Sequence, residues 1–371
     1  MKEINPGNEK IKRRYLRHLK GARGLAESTI DNALRAIAAY ERFTGYRDFG
    51  KFRSRDAETY KRGLLSDGGR RAAELSNRST IHGKLQPLQR FFTWLAEQDG
   101  FRTKVRFCDA EFFNLSNRDL RIARDRPPKP APTLEQVQHA ILSMPASTDV
   151  EKRDRALVAC ALLTGARVKA LITLKLKHVR PDRLGIDQDA RQVATKFSRT
   201  YTTIYFPVGD DIRQIFFDYV DYLRGTLKRN GEDPLFPRTE LSVGDEFRFH
   251  STGLTREHWA TPDPVRDAFH KAFASAGLPY YSPHSIRRTL TLLGQQRCRT
   301  PEDLKAWSQN LGHLGVLTTF TSYGGISLPR QTEIITSLAE ERDGDEAAFA
   351  AFLAMRHDPR FAPLFRGCSS T

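Results

Sequence analysis

Apolar positions in the first third of the chain recur every three or four residues, which is the spacing of an amphipathic helix. Residues 26–45 carry one such stripe, made of Ile30, Leu34, Ile37 and Tyr40. Ser28 or Thr29 is the expected N-cap of that helix. Residues 76–100 repeat the pattern with Ile81, Leu85, Leu88, Phe91, Phe92 and Leu95. With a shorter helix expected over residues 55–66, the pattern predicts an all-α N-terminal domain.

A proline-rich stretch follows this helical region. Residues 121–132 read RIARDRPPKPAP, with four prolines among arginines. Because proline cannot continue a helix and favours extended backbone, the stretch is predicted to be an interdomain linker. Thr133, followed by Glu135 and Gln136, is expected to open the next helix.

The second half of the chain mixes helical and strand patterns. Residues 154–165 form an apolar run that Gly165 is expected to end as a helix. Between residues 184 and 208, alternation in LGIDQ, RQVATKF and YTTIYFPV predicts a small antiparallel sheet. Further helices are predicted over residues 211–227, over residues 263–277 and after residue 282. The predicted fold class is mainly α with a small antiparallel β-sheet (α+β).

Size and composition suit folded domains. The chain has 371 residues, 39% of them hydrophobic and 28% charged, which is enough for two domains with cores. No segment approaches the roughly 18 apolar residues of a membrane span, and the N-terminus lacks the apolar core of a signal peptide. We therefore expect a cytoplasmic protein without membrane contact, in which the scattered cysteines are isolated thiols.

Charge is distributed unevenly along the chain. The net charge is +16, of which residues 1–130 contribute +13 and residues 131–371 only +3. Such an excess, interleaved with apolar helix positions, is the electrostatic footprint of a protein that binds a phosphate backbone. A nucleic acid is therefore the expected partner, with a solvated basic surface as the alternative.

Two short segments in the second half suggest an anion site. In SPHSIRRTL, Ser282 can cap a helix whose first residue is Pro283. His284 and Arg287 then lie three residues apart on one helix face, near backbone N–H groups that favour an anion. Arg167 follows directly after the helix that Gly165 ends. Taken singly, each is also an ordinary surface or capping residue.

These residues become informative when they are considered together and in their order along the chain. Along the chain come Arg167 in TGAR, Lys196 in ATKFSRTY, His284 and Arg287 in HSIRR, His313 in LGH and Tyr323 in TSYGG. This series resembles the tyrosine recombinase (phage integrase) family over most of the chain. The likeness implies an N-terminal all-α, SAM-like core-binding domain over residues 1–120 and the linker over 121–132. It also implies a tyrosine recombinase catalytic domain over 133–330 and a helical tail over 331–371 that docks on a neighbouring protomer.

The resemblance implies that double-stranded DNA is the partner and that its cleavage is metal-free. Tyr323 would be the nucleophile, which attacks a phosphodiester to give a 3′-phosphotyrosine and a free 5′-hydroxyl. Arg167 and Arg287 would hold the non-bridging oxygens, since a guanidinium can bind two of them at once. The arginines then supply the charge that magnesium supplies elsewhere, so no metal, cofactor or ATP is expected.

Three further residues have roles by the same resemblance. Lys196 would be the general acid that protonates the leaving 5′-oxygen, with Arg199 and Lys169 as alternatives. His284 would assist proton transfer around the nucleophile, and His313 would donate a hydrogen bond to the phosphate. Two other tyrosines, Tyr280 and Tyr281, precede the His-x-x-Arg helix and are weaker candidates for the nucleophile than Tyr323.

The function implied is site-specific recombination, as in DNA integration by mobile elements. The protein would bind each site as a dimer, join two sites in a tetramer and exchange strands through a Holliday junction. Two alternatives stay open at this point. One is a type IB topoisomerase or telomere resolvase-like strand-transfer enzyme, and the other is a non-catalytic DNA-binding protein derived from an integrase.

Overall fold

A computed structural model describes residues 4–67, 77–124, 130–195, 199–243 and 249–313. Its contacts divide the chain into two units, Met1–Pro127 and Pro128–Thr371. The division between Pro127 and Pro128 lies inside residues 121–132, the predicted linker. The first four residues of that stretch are nevertheless helical, because the last helix of the first unit continues to Arg124.

Helices make up the N-terminal unit. They are α1 (Pro6–Arg17), α2 (Glu27–Phe43), α3 (Ser54–Asp67), α4 (Asn77–Ala96) and α5 (Asn117–Arg124). A π-helix covers His18–Ala22, and 3-10 turns cover Phe49–Lys51 and Phe107–Phe113. The prediction that Ser28 or Thr29 caps α2 is wrong. The N-cap is Ala26, without a side-chain hydrogen bond, so both hydroxyl residues lie in the first helical turn.

The core of this unit is aromatic. The apolar face predicted for α4 is buried throughout, and its Phe91 and Phe92 are fully enclosed. Phe52 stacks on Phe92 with ring centroids 3.8 Å apart, and Tyr40 of α2 meets Phe92 edge-on at 5.3 Å. Burial of this kind contributes about 1.5–3 kcal/mol for each large apolar side chain. These aromatic residues therefore pack the core and do not form an exposed base-stacking surface.

The second unit combines helices with two small sheets. Its helices are α6 (Leu134–Leu142), α7 (Asp149–Thr164), α8 (Val168–Leu171), α9 (Asp210–Gly225), α10 (Asp263–Ser275), α11 (Pro283–Arg297) and α12 (Pro301–Asn310). Its strands are β1 (Gly185–Gln188), β2 (Tyr201–Ile204), β3 (Thr239–Val243) and β4 (Phe249–Leu254). In the described ranges, no helix has the length and apolarity needed to cross a membrane.

Helix α7 forms the centre of this unit. All of its residues from Ala156 to Thr164 are buried, so the helix is enclosed on every side and shows no polar face. A capping box between Thr148 and Glu151 fixes its start, and Gly165 ends it in the left-handed conformation with φ of 58°. Thr133 likewise caps α6 through a capping box with Gln136, as the sequence predicts.

The sheets differ in part from the prediction. Strands β1 and β2 pair antiparallel, with Gly185 opposite Ile204 and Gln188 opposite Tyr201. The described residues of RQVATKF, 191–195, are not a strand but part of the connection between β1 and β2. Polar side chains there bond to nearby backbone and so compete with strand pairing. The second hairpin, β3 with β4, was not predicted.

Candidate active site

The centre of the candidate site is the buried guanidinium of Arg287. Its residue is only 2% exposed. Nη1 donates to the carbonyl of Gly165, and Nη2 donates to the carbonyl of Leu311 at 2.6 Å. Nη2 also lies 2.9 Å from Nε2 of His313. These three partners hold the guanidinium in place, and none of them is a carboxylate.

Local sequence explains how Arg287 reaches this position. Helix α11 begins with Pro283, whose fixed φ suits a first helical position. Ser282 occupies the N-cap position, but its side chain does not cap the helix, contrary to the prediction. Instead the Ser285 hydroxyl donates to the Ser282 carbonyl at 2.6 Å. One turn into the helix, Arg287 is buried, whereas His284 three residues earlier is exposed.

The TGAR turn lies against this guanidinium. A side chain at Gly165 would place its Cβ 2.8 Å from Leu311 and 3.0 Å from Leu290, so only glycine fits there. The Thr164 hydroxyl donates to the Cys160 carbonyl at 2.6 Å and accepts from the Ala166 amide at 3.1 Å. The turn is therefore fixed on both sides of the carbonyl that accepts from Arg287.

Arg167 occupies the N-cap position of the short helix α8. Its side chain is half-buried. Within the described part of the chain, the Arg167 guanidinium forms no hydrogen bond or ion pair. One arginine of the predicted pair, Arg287, is therefore buried and bonded to the main chain, whereas Arg167 is half-buried and has no partner among the described residues.

The LGH turn contacts the Arg287 guanidinium as well. Helix α12 ends at Asn310, and Gly312 follows with φ of 67°. A Cβ on Gly312 would lie 2.7–2.9 Å from the ring of Tyr201, so this turn also requires glycine. The His313 amide donates to the Ser308 carbonyl at 3.1 Å. His313 itself is 7% exposed.

The contact between Arg287 and His313 fixes the tautomer of the histidine. A guanidinium has only donors, so Nε2 of His313 must accept the hydrogen bond from Arg287. The ring is then neutral, with its proton on Nδ1. The resemblance implies that His313 donates a hydrogen bond to a phosphate oxygen, a role that needs a ring N–H.

A cleft of about 370 Å³ opens beside His313. Its other lining residues come from β2, from the segment before it and from α12: Arg199, Tyr201, Thr202, Ala306, Gln309, Asn310 and Gly312. Arg199 is exposed and adds a cation to this cleft. The Tyr201 hydroxyl donates to Oε1 of Gln188 at 3.1 Å, so Tyr201 is held as part of the wall.

Hydrogen bonds hold described residues on either side of Lys196. We call the described residues between β1 and β2, 189–195 and 199–200, the hairpin loop. The Ala194 amide donates to Oγ1 of Thr173 at 2.9 Å, and the Thr195 hydroxyl donates to the Arg199 carbonyl at 2.8 Å. Thr173 lies two residues after the end of α8, the helix whose N-cap position Arg167 occupies. Ala194 is thus tied to the segment that follows α8, and Thr195 and Arg199 are tied to each other.

An ionised carboxylate organises the start of the hairpin loop. Hydrogen bonds from the Arg191 side chain and amide, together with one from Thr200, lower the pKa of Asp189 to about 2. Arg191 Nη2 lies 2.7 Å from this carboxylate. Asp189 is therefore an anion throughout the physiological range, and it holds two residues of the hairpin loop by their polar groups.

Five further residues are candidates for the general acid or the nucleophile. Lys196 and Tyr323 lie outside the described residues, so their roles stay predictions. Lys169 is exposed on α8. The Tyr280 ring stacks on His270 with centroids 3.5 Å apart, and the Tyr281 ring packs edge-on against Phe273. The two weaker nucleophile candidates thus contact residues of α10.

Sequence reasoning missed the polar residues that join the hairpin to the site. Gln188 and Thr203 are fully buried, and Nε2 of Gln188 donates to the Thr203 hydroxyl at 2.9 Å. The side chain of Asn310 binds the backbone of β2. One signal was available for Asn310, since a short amide side chain stands directly before the LGH turn at the end of a helix.

Comparison with known proteins places this arrangement in a known fold. No family model matches the chain, and no curated protein matches it by sequence. Solved structures do match. The Tn1549 transposon integrase in complex with circular intermediate DNA matches with a TM-score of 0.53 and 16% identity, over 90% of this chain and 98% of that one.

Two further structures are similar to the same extent. A lambda integrase tetramer bound to a Holliday junction has a TM-score of 0.53 and 16% identity, over 86% of this chain and 77% of that one. The XerH site-specific recombinase bound to a difH substrate has a TM-score of 0.53 and 15% identity, over 89% of this chain and 85% of that one. At these identities the likeness concerns the fold. The chain therefore has the fold of the tyrosine recombinases and integrases.

Proposed function

We propose that this protein is a site-specific DNA recombinase that cuts and rejoins DNA through a 3′-phosphotyrosine. The observation that carries the proposal is the position of Arg287. One buried guanidinium bonds to the TGAR turn and to the LGH turn, so three motifs that are far apart in sequence meet at one cation. A preorganised cation of this kind suits the transfer of a phosphoryl group, whose transition state is stabilised by fixed positive charge.

The reaction follows from the residues in their proposed roles. The Tyr323 oxygen attacks the scissile phosphorus as its proton leaves, with His284 assisting that transfer. The bond from phosphorus to the 5′-oxygen breaks, and Lys196 donates a proton to that oxygen. A 3′-phosphotyrosine and a 5′-hydroxyl result. Attack by a 5′-hydroxyl from another strand reverses the step and releases the tyrosine, so the number of phosphodiester bonds is conserved.

Arg167 and Arg287 have different parts in this scheme. Arg287 is fixed by main-chain carbonyls, so its charge is preorganised before DNA arrives. Arg167 is half-buried and has no partner among the described residues, so it is available for a bidentate contact with the non-bridging oxygens. His313 adds a donor at Nδ1.

The two units have different functions in this proposal. The N-terminal unit carries most of the excess positive charge and holds the DNA backbone, while the second unit carries out the chemistry. The XerH and lambda integrase structures contain bound DNA, and the lambda integrase is a tetramer on its junction. We extend that mode to this chain as a dimer on each site and a tetramer in synapsis. The tail over residues 331–371 would join neighbouring protomers.

Covalent trapping tests the proposal directly. A pool of nicked duplexes with a randomised core is incubated with the wild-type protein, and the DNA that becomes covalently attached is recovered and sequenced. Mass spectrometry of the adduct should identify Tyr323 as the modified residue. Tyr323→Phe should bind the recovered duplex with unchanged affinity and form no adduct, whereas the control Tyr280→Phe should form it normally.

The other outcomes identify the alternatives. If wild-type protein binds DNA but forms no adduct with any duplex of the pool, it is a non-catalytic DNA-binding protein and the proposal is wrong. If adducts form without sequence preference and supercoiled plasmid is relaxed, the chain is a topoisomerase. Recombination between two copies of the recovered site should yield Holliday junction intermediates on a native gel.

A further inference from the structure

Asn310, the last residue of α12, binds strand β2 through its side chain. Its Oδ1 accepts from the Ile204 amide at 2.8 Å, and its Nδ2 donates to the Ile204 carbonyl at 2.8 Å. Both backbone groups of one strand residue are therefore satisfied by a single side-chain amide. This is the pairing that a neighbouring strand would provide, so Asn310 attaches the end of α12 to the free edge of the hairpin.

A partly buried series of hydrogen bonds runs from the cleft to the same residue. The Tyr201 hydroxyl donates to Gln188, Nε2 of Gln188 donates to the Thr203 hydroxyl, and that hydroxyl donates to the Asn310 carbonyl at 3.3 Å. Each group donates to the next one in this series, so the hydroxyls of Tyr201 and Thr203 are both fixed in orientation. Burial makes such a network sensitive to the loss of any member.

Helix α12 is tied just as firmly to the helix of Arg287. The Trp307 indole donates to the Leu290 carbonyl at 2.9 Å, and the Trp307 ring packs so closely on Gly294 that a Cβ there would lie 2.6 Å from the indole nitrogen. Three residues after Asn310 comes His313, which contacts Arg287. The Asn310 side chain thus joins the Arg287–His313 pair to the strand that follows the hairpin loop.

We propose that Asn310 is a positioning residue that sets the hairpin loop in register with the Arg287–His313 pair. This inference rests on the proposed function. The proposed general acid, Lys196 or its alternative Arg199, must reach the 5′-oxygen of a phosphate held by Arg287. Because strand β2 begins two residues after Arg199, a shift of the strand relative to α12 moves Arg199 and the described end of the loop with it. An error of about 1 Å in such a placement costs on the order of 100-fold in rate.

The proposal predicts which step Asn310 affects. Its loss should slow the departure of the 5′-oxygen, which needs a proton, and leave DNA binding unchanged. A duplex with sulfur in place of the bridging 5′-oxygen separates these effects, because a thiol has a pKa near 8.5 and leaves without protonation. A defect in placing the general acid should disappear on the sulfur duplex. A defect in folding or in holding the phosphate should persist on both.

The experiment measures single-turnover formation of the covalent adduct on the recovered duplex, with oxygen or sulfur at the cleaved bond. Asn310→Ala should cleave the oxygen duplex about 10- to 100-fold more slowly than wild type and the sulfur duplex within about 3-fold of it. Asn310→Asp keeps the size of the side chain and the acceptor for the Ile204 amide but loses the donor. It should show the same rescue, even if the alanine variant does not fold.

Two controls complete the design. Gln296→Ala removes an exposed amide of α11 outside the cleft, and it should match wild type on both duplexes. Arg287→Ala should be slow on both. An equal defect of the Asn310 variants on both duplexes, or no defect at all, overturns the positioning role while wild-type cleavage still supports the proposed function. If wild type cleaves neither duplex, the proposed function fails, and the inference fails with it.

Discussion

The side chains of Arg287 and His313 meet with Nη2 and Nε2 2.9 Å apart, although the two residues are 26 positions apart in the sequence. The same guanidinium binds the carbonyls of Gly165 and Leu311. A single side chain therefore fixes two glycine turns and the histidine beside the cleft. This arrangement couples the stability of the second unit to the geometry of the site.

Arg287→Lys tests that coupling. A lysine keeps the charge but cannot reach two carbonyls and an imidazole at once, so each lost charged hydrogen bond costs about 1.5–3 kcal/mol. We expect a lower midpoint in urea unfolding and a loss of adduct formation on the order of 100-fold or more. Gln296→Ala, at an exposed position of the same helix, is the control. Unchanged stability of Arg287→Lys would contradict the contacts described here.

Arg167→Lys should leave the stability of the protein nearly unchanged and reduce adduct formation. Because no described residue bonds to the Arg167 guanidinium, its replacement should change the free energy of unfolding by no more than about 0.5 kcal/mol. Adduct formation should still decrease on the order of 100-fold, since a lysine cannot bind two phosphate oxygens in a fork. Paired unfolding curves and trapping rates check both halves. A stable and fully active variant would remove Arg167 from the site.

Gly312→Ala isolates the steric requirement of the LGH turn. Gly312 and Gly277 both have positive φ, of 67° and 66°, which costs an alanine about 1–2 kcal/mol. A Cβ at Gly277 meets nothing within 4 Å, whereas one at Gly312 meets the Tyr201 ring at 2.7 Å. Gly312→Ala should therefore destabilise the unit by about 1–3 kcal/mol more than Gly277→Ala. Equal effects in thermal unfolding would show that the ring moves aside.

The general acid is identified by comparing three cations on the oxygen and sulfur duplexes. Lys196→Ala should lose roughly 100-fold or more on the oxygen duplex, because general acid catalysis contributes about 10²–10⁴, and regain activity on the sulfur duplex. Lys169→Ala should resemble wild type on both. If Arg199→Ala shows the sulfur rescue and Lys196→Ala does not, the assignment passes to Arg199, which lines the cleft.

His178 should make stability depend on pH. Burial lowers the pKa of His178 below its ordinary value of 6.5, and the nearby cations of Lys177 and Lys175 act in the same direction. Its Nδ1 accepts from the Lys175 amide at 2.9 Å, which requires a neutral ring. The unfolded chain then binds the proton more readily, so this contribution to stability is present above about pH 6.5 and lost as the pH falls below it.

Unfolding curves between pH 7.5 and about pH 5 measure this effect. His178→Gln should show a smaller loss of stability on acidification than wild type, because glutamine can accept the same hydrogen bond without titrating. His139→Gln, at an exposed position of α6, should leave the slope unchanged. A wild-type slope retained in His178→Gln would assign the pH dependence to other groups.

The sequence by itself determined the elements whose cause is local. Helical spacing of apolar residues predicted the buried face of α4 with Phe91 and Phe92. Thr133, three residues before Gln136, predicted the N-cap of α6. Gly165 ends α7 as expected, because a left-handed residue is a property of the turn itself. The order of short motifs also indicated the recombinase fold, which the solved structures match.

Tertiary structure alone decided how these elements meet. The sequence could not show that Arg287, and not Arg167, is the buried arginine. The burial of Arg287 depends on the carbonyls of Gly165 and Leu311, which are distant in the sequence. The role of Asn310 depends on an edge of β2 that lies more than a hundred residues earlier. Hydrogen bonds between distant segments leave no periodicity in the sequence. They form only when packing of the core brings those segments together.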